Sequence, residues 1–387
     1  MAAIGNNAAG RKRILLLATG GTIACAAGAD GLTPGLTGEQ LAEFVPELAD
    51  LADIDVRQVM NIDSSNMQPT DWLTLVAAIR DVYATYDGFV VLHGTDTMAY
   101  TAAALSCLIE GLAKPVVLTG SQLPMTDSQT DARHNLFDAA CVACDNSARG
   151  VMVVFAGRVI DGLRARKART RSFDAFESVN APDLGKVAGG EVVWASERVA
   201  CGFDGPAGFQ STACSVVGFS DSDSAVVPVS ASGNQPAARE KPASRGGAFA
   251  HVGAAEPFGS DSISGGEPAA PATSTFRTQL NPRVQVLKIT PTTNAAIIEA
   301  MRPLCDALVV EAYGLGGVPQ SQGVTDALLA WADSGKLLVL TTQCPYEDCD
   351  PSVYEVGRAF ANHPGVIIAG NLTTEAALAK TMCELAR

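Results

Sequence analysis

At 387 residues and 47% hydrophobic, the chain is long enough to bury one large core or two smaller ones, and the usual domain size favours two. A formal net charge of -14 and a sequence pI of about 4.7 argue against a polyanionic partner such as nucleic acid, which needs a basic stripe. The 10 cysteines are scattered through a chain large enough to fold without disulfides.

Residues 1 to 12 are small and polar at the start and are expected to be disordered. Arg11-Lys-Arg13 and the apolar run after it imitate a signal peptide, with Cys25 imitating a lipoprotein cleavage site. Thr19-Gly-Gly-Thr22 interrupts that run after Ala18, well short of the roughly 7 to 15 residues an h-region needs. The run reads instead as a strand, Arg13 to Ala18, of a cytoplasmic protein. The following loop, Ala26 to Gly35, is rich in alanine and glycine and is a candidate mobile lid.

Further on, a helix over Glu39 to Phe44 precedes a strand, Asp55 to Ile62, that ends in Asp63-Ser-Ser65. Pro69 opens a helix to about Tyr83. Gly88-Phe-Val-Val-Leu92 is a short apolar run that breaks at His93-Gly94 and gives way to helical spacing, so Thr95, Asp96 and Thr97 fall on a strand-to-helix turn. Strands Pro115 to Thr119 and Gly150 to Phe155 flank a helix over Asp131 to Cys144, and Val159 to Gly162 turns the chain into the basic cluster Arg164 to Arg169. Such a cluster is most simply a solvated face, and Lys167 is placed in a polar loop. This alternation of strand, polar turn and helix is the pattern of an α/β sheet, whose ligands sit at the carboxyl ends of the strands.

From Ser215 to Thr275 few large apolar residues occur, and the segment is expected to be a low-complexity, disordered linker or insertion. After it, strands Val284 to Ile289, Ala307 to Glu311, Lys336 to Leu340 and Val366 to Ile368 alternate with helices near Asn294 to Met301, Asp326 to Ser334 and Thr374 to Leu385. The expected organisation is thus a catalytic α/β domain over 13–214 and a second over 276–387.

Several residue groups bear chemistry. Thr22, after two glycines at a strand end, is either a turn residue or a nucleophile in need of activation. Thr95 and Asp96 are either helix caps or the edge of an anion site, where Asp96 would hold an ammonium or a lysine. Lys167 is such a lysine only if the fold turns it inward. His93 is read as structural, and the Cys141/Cys144 pair as buried thiols rather than a metal site. Neither glycine cluster, Gly20-Gly21 nor Gly314 to Gly317, fits a nucleotide-binding pattern.

Ala18-Thr-Gly-Gly-Thr-Ile-Ala24 and Gly88-Phe-Val-Val-Leu-His-Gly-Thr-Asp-Thr-Met98 resemble the two signature segments of the bacterial-type L-asparaginase/glutaminase family. The resemblance continues through Asn61 to Pro69, Thr119 to Gln122, Ala175 to Asn180, Thr341 to Cys344 and Tyr354 to Arg358. Ser65, where secreted relatives often carry glutamine, places it nearer the cytoplasmic type I branch. The resemblance implies a larger N-terminal mixed sheet flanked by helices and a smaller C-terminal parallel α/β domain. It implies that Thr22 is the nucleophile, that Thr95, Asp96 and Lys167 form a second catalytic group, and that Ser64 and Ser65 bind the substrate's α-carboxylate and Asp96 its α-ammonium. Activity would be hydrolysis of L-asparagine with some glutaminase activity, without metal or organic cofactor, in a homodimer or homotetramer.

One departure matters: many members of that family carry a tyrosine on the lid, and the corresponding place here is Leu32. A second reading is the amidase subunit of a tRNA-dependent amidotransferase, which normally has a further domain before the first signature. A third is a catalytically silent amino-acid sensor, favoured by Leu32 and opposed by Thr22, Thr95, Asp96 and Lys167.

Overall fold

The structure, a computed structural model, describes residues 10–28, 31–195 and 274–386; the side chains of 26–34 also lie outside that description. These residues all belong to one compact unit. The segment read as a linker lies outside the described residues apart from Ser274 and Thr275.

In chain order the N-terminal lobe contains β1 (Arg13–Gly20), β2 (Cys25–Gly28), β3 (Gly31–Pro34), α1 (Gly38–Glu43), α2 (Leu48–Leu51), β4 (Asp53–Ile62), α3 (Pro69–Arg80), β5 (Gly88–Leu92), α4 (Met98–Leu108), β6 (Ile109–Glu110), β7 (Pro115–Thr119), α5 (Ala132–Cys144) and β8 (Gly150–Phe155). It continues through β9 (Arg158–Asp161), β10 (Ala165–Lys167), β11 (Phe176–Ser178), β12 (Gly185–Ala188) and β13 (Glu191–Trp194). After the undescribed segment come β14 (Thr275–Phe276), β15 (Val284–Lys288), α6 (Ala295–Met301), β16 (Ala307–Ala312), α7 (Val324–Asp333), β17 (Leu337–Thr342), α8 (Glu355–Ala361), β18 (Val366–Ile368) and α9 (Thr374–Glu384).

The larger sheet has eight strands in the order β13-β12-β9-β8-β7-β5-β1-β4. From β8 to β4 its neighbours run parallel, and β9, β12 and β13 add antiparallel pairs, so the sheet is mixed. Its central strands are buried on both faces, which is why they read as unbroken apolar runs. Alternation along β1 still divides the core: Leu15 and Leu17 pack with α3 and α4, while Ile14 and Leu16 pack with α1 and α5. The smaller sheet, β15-β16-β17-β18, is parallel throughout. Helix α4 is buried around most of its circumference, and it and α9 contribute to one shared core together with Val284, Ala307 and Val339 of the small sheet. The two separate sheets, one mixed and one parallel, make the chain a two-domain α/β protein.

Three expectations change. The stretch Val159 to Gly162 is mostly strand, because Ala156 and Gly157 take φ of 50° and 75° and fold β8 back onto β9 as a tight hairpin. Lys167 lies on a strand, β10, paired antiparallel with β11, rather than in a loop. The glycine-rich stretch after Ala24 pairs as a β2-β3 hairpin, with Ala27 opposite Leu32. Thr275 and Phe276 pair with Glu110 and Ile109. Among the described residues no helix is long and apolar enough to cross a membrane.

Candidate active site

Three neighbouring strands, β5, β1 and β4, end side by side and carry the loops that hold most of the candidate residues. At the end of β1 the backbone turns through Gly20 and Gly21, both at positive φ (102° and 83°), where a side chain would be strained. The Gly21 N–H bonds the Ile62 carbonyl of β4 at 3.0 Å. Thr22 then opens a single 3-10 turn, Thr22–Ala24, and is half-buried.

Backbone contact joins this turn to the turn after β5. A methyl group added at Gly94 would stand 2.5 Å from Ser64 Oγ and 3.2 Å from the Gly21 Cα. Gly94 is therefore the packing point at which the Thr22, Ser64 and Thr95 loops meet. Thr97 Oγ1 donates to the Ser64 carbonyl at 2.8 Å and ties the same two loops again. Position Ncap of α4 is Thr97, without a side-chain capping bond. Thr95 and Asp96 are thus not its caps, and their side chains meet Lys167 instead.

Lys167 Nζ donates to Thr95 Oγ1 at 2.7 Å and to Asp96 Oδ1 at 2.6 Å. Thr95 is buried, the Lys167 side chain is 18% exposed and that of Asp96 62% exposed. An ammonium in this setting stabilises negative charge on the threonine oxygen, while Asp96 keeps capacity for a second cation.

The end of β4 is polar in a different way. Ser65 donates its N–H and its Oγ–H to Asp63 Oδ1, both at 2.8 Å, and these bonds hold the Asp63 carboxyl below its ordinary range. Ser64 is 3% exposed, beneath Gly94, while Ser65 is open to solvent. Both hydroxyls lie on the loop that packs against the Thr22 turn.

His93 is fully buried and holds the turn from behind. Its Nδ1 lies 2.7 Å from the Gly94 carbonyl and its Nε2 2.9 Å from Thr101 Oγ1, which also accepts the Trp72 indole N–H at 3.0 Å. A carbonyl only accepts, so Nδ1 carries the hydrogen and Nε2 accepts from Thr101. Burial pushes the imidazole down to about 4, so it stays neutral. This fits a structural role.

Composition did not single out Gly120, Asn135 or Asn180, and Arg164, expected on a solvated basic face, is instead 4% exposed. A methyl group on Gly120 would meet the His93 carbonyl at 2.2 Å, and the Asn135 amide donates to the Gly120 carbonyl at 2.9 Å. The available signal was the polar break after the buried β7 run, the same signal that marks Thr95. Cys141 is buried and Cys144 half-buried on α5, and burial raises their thiols to about 12 and about 11. Among the described residues no group of His, Cys, Asp and Glu side chains could hold a metal ion.

A mixed-sheet lobe with threonines at adjacent strand ends, joined to a parallel α/β lobe, has known counterparts. Residues 13–200 match the family described as Asparaginase, N-terminal, and residues 283–387 match the Glutaminase/Asparaginase C-terminal domain. The chain belongs to the asparaginase family.

Similar proteins include the L-asparaginase of Thermococcus kodakarensis, 32% identical over 96% of this chain and 92% of that protein. L-asparaginase 1 of Escherichia coli is 31% identical over 96% of this chain and 90% of its own length. A glutamyl-tRNA(Gln) amidotransferase component of Halobacterium salinarum is 31% identical, with 96% of this chain and 75% of that protein covered. Among solved structures, the thermostable L-asparaginase from Thermococcus kodakarensis superposes with a TM-score of 0.74 at 30% identity, over 97% of this chain and 93% of that one.

Proposed function

We propose that the chain hydrolyses the side-chain amide of L-asparagine to L-aspartate and ammonia, with Thr22 as nucleophile. The observation that carries this reading is Lys167 bonded at once to Thr95 and Asp96, on the loop whose Gly94 touches the Thr22 turn.

In the first half-reaction Thr22 Oγ1 adds to the amide carbon and gives up its proton, and the carbonyl oxygen takes the electron pair. Backbone N–H groups near Gly21-Thr22 and Thr95 supply donors for that oxyanion, an effect commonly worth about 3 kcal/mol. Collapse breaks the C–N bond; the nitrogen takes a proton and leaves as ammonia, and Thr22 is left as an ester. In the second half a water adds to the ester carbon, its proton returns to Thr22, and L-aspartate departs. Overall one amide and one water give one carboxylic acid and one ammonia. Neither half-reaction as written draws on a metal or organic cofactor.

Thr95 and Lys167 lower the cost of moving these protons, because the ammonium stabilises an oxygen that carries partial negative charge. Ser64 and Ser65 bind the substrate α-carboxylate, for which Ser65 must turn its hydroxyl away from Asp63. Asp96, paired with Lys167 through one oxygen, holds the α-ammonium with its remaining capacity. With Leu32 standing where many relatives carry a lid tyrosine, activation of Thr22 falls to the Thr95 and Lys167 pair, through a water. We place the enzyme in the cytoplasm as a homodimer or homotetramer, following the type I resemblance of its sequence.

Resemblance to an amidotransferase component favours a second reading, in which ammonia is delivered to a partner. Ammonia release by the purified chain alone separates the two. Turnover of L-asparagine exceeding that of L-glutamine is expected, and absence of asparagine turnover would overturn the proposal.

A further inference from the structure

The hairpin that carries Lys167 is gripped at its open end by the C-terminal lobe. Strands β10 and β11 pair Ala165 with Ser178 and Lys167 with Phe176, and the Val179 N–H extends the ladder to the Arg164 carbonyl at 2.9 Å. Lys167 therefore sits roughly 10 Å along the hairpin from the level of Arg164 and Asn180.

Asn180 takes φ of 57° and Glu347 of 71°, so two non-glycine residues in the left-handed region face each other across the two lobes. Each such residue costs free energy and persists only where surrounding contacts over-determine it. Here the contacts are reciprocal: Asn180 Oδ1 accepts the Glu347 N–H at 2.7 Å, and Asn180 Nδ2 donates to the Glu347 carbonyl at 3.0 Å. The same Nδ2 donates to the Asn371 carbonyl at 3.0 Å. Arg164, 4% exposed, donates through Nη1 to that carbonyl at 2.7 Å and to Asn371 Oδ1 at 3.0 Å. Tyr346 adds a hydroxyl bond to Glu177 of β11. An amide side chain is suited to this place because it donates and accepts at once and asparagine tolerates the left-handed backbone.

We propose that Asn180 is a positioning residue for the reaction: with Arg164 it locks the β10-β11 hairpin to the Glu347 and Asn371 backbone and thereby sets where Lys167 meets Thr95 and Asp96. The inference rests on Lys167 serving the catalysis described above. Lys167 makes both short bonds at once, at 2.7 Å and 2.6 Å, from a side chain only 18% exposed, so a shift of its Cα on β10 is felt at both. A misplacement of about 1 Å at a catalytic group can cost up to about 100-fold in rate.

The test is a double-mutant cycle. Asn180→Gly deletes all three side-chain bonds while keeping the left-handed backbone without steric cost, and the Tm of each variant reads what the lost bonds take from stability. Ammonia release from L-asparagine is measured for wild type, Asn180→Gly, Lys167→Met and the double variant, with Tm beside each. Asn180→Gly is expected to lower kcat about tenfold or more with KM within about threefold, and to have no further effect on the residual turnover of Lys167→Met. A side chain with a merely structural role would act equally in both backgrounds. Unchanged kcat in Asn180→Gly, or an undiminished effect in the Lys167→Met background, overturns the proposal while leaving the role of Lys167 intact. Wild-type turnover by Lys167→Met instead overturns the catalytic reading on which the proposal stands.

Discussion

A methyl group added at Gly21 would stand 2.4 Å from both the Cα and the N of Gly94. The turns after β1 and β5 therefore touch through bare backbone, which is how residues 73 positions apart, Thr22 and Thr95, come to neighbouring loops of one sheet edge.

Gly94→Ala tests this contact. The new methyl would meet Ser64 Oγ at 2.5 Å and Ser64 Cβ at 2.6 Å, and overpacking of this kind typically costs about 1 to 3 kcal/mol. A Tm several degrees below wild type is expected, with loss of turnover. Adding Ser64→Gly should restore much of the Tm but leave KM raised. A single Gly94→Ala variant that melts with wild type would refute the contact.

His93 makes a pH prediction. Its folded-state value of about 4 lies below the ordinary 6.5, so the unfolded chain binds the proton first as pH falls. The stability it contributes is full above pH 6.5 and is lost as pH drops from there through about 4. Between pH 7 and pH 5 this amounts to about 2 kcal/mol. In chemical denaturation His93→Gln should be less stable than wild type at pH 7 and should show a flatter loss towards pH 5. An equal slope in the two proteins would contradict the assignment.

Asp138 behaves in the opposite sense. It is 6% exposed on α5, and burial pushes its carboxyl up to about 6, above the ordinary 3.8, with His134 opposing in part. The folded state then favours the protonated acid, and this contribution, present at low pH, is lost as pH rises through 6. Asp138→Asn should raise the Tm by a few degrees at pH 7.5, with the gain shrinking towards pH 5. A lower Tm at pH 7.5 would show that the charged carboxylate is compensated.

The parts legible in the sequence were those whose signal is local. Gly88 to Leu92 and Pro115 to Thr119 are buried on both faces, so continuous apolar runs marked them, and the polar residues directly after a run marked the site edge. Strands β9, β10 and β11 gave no such signal because they are short and carry charges met only through tertiary contact. Arg158 on β9, for example, pairs with Asp183 at 2.8 Å. The inward placement of Lys167 was hidden because it depends on Thr95, 72 positions away in sequence. Asn180 was visible only as part of a motif, because its left-handed backbone is imposed by Glu347 and Asn371.

In the proposed reaction Thr22 supplies the oxygen that attacks the amide, and the decisive readout is turnover of L-asparagine by Thr22→Ala with its Tm measured alongside. Thr22 is half-buried in a turn held by backbone bonds, so removing its hydroxyl should leave the Tm close to wild type while kcat falls by about 1,000-fold or more. A folded Thr22→Ala protein that releases ammonia at near wild-type rate would contradict the account.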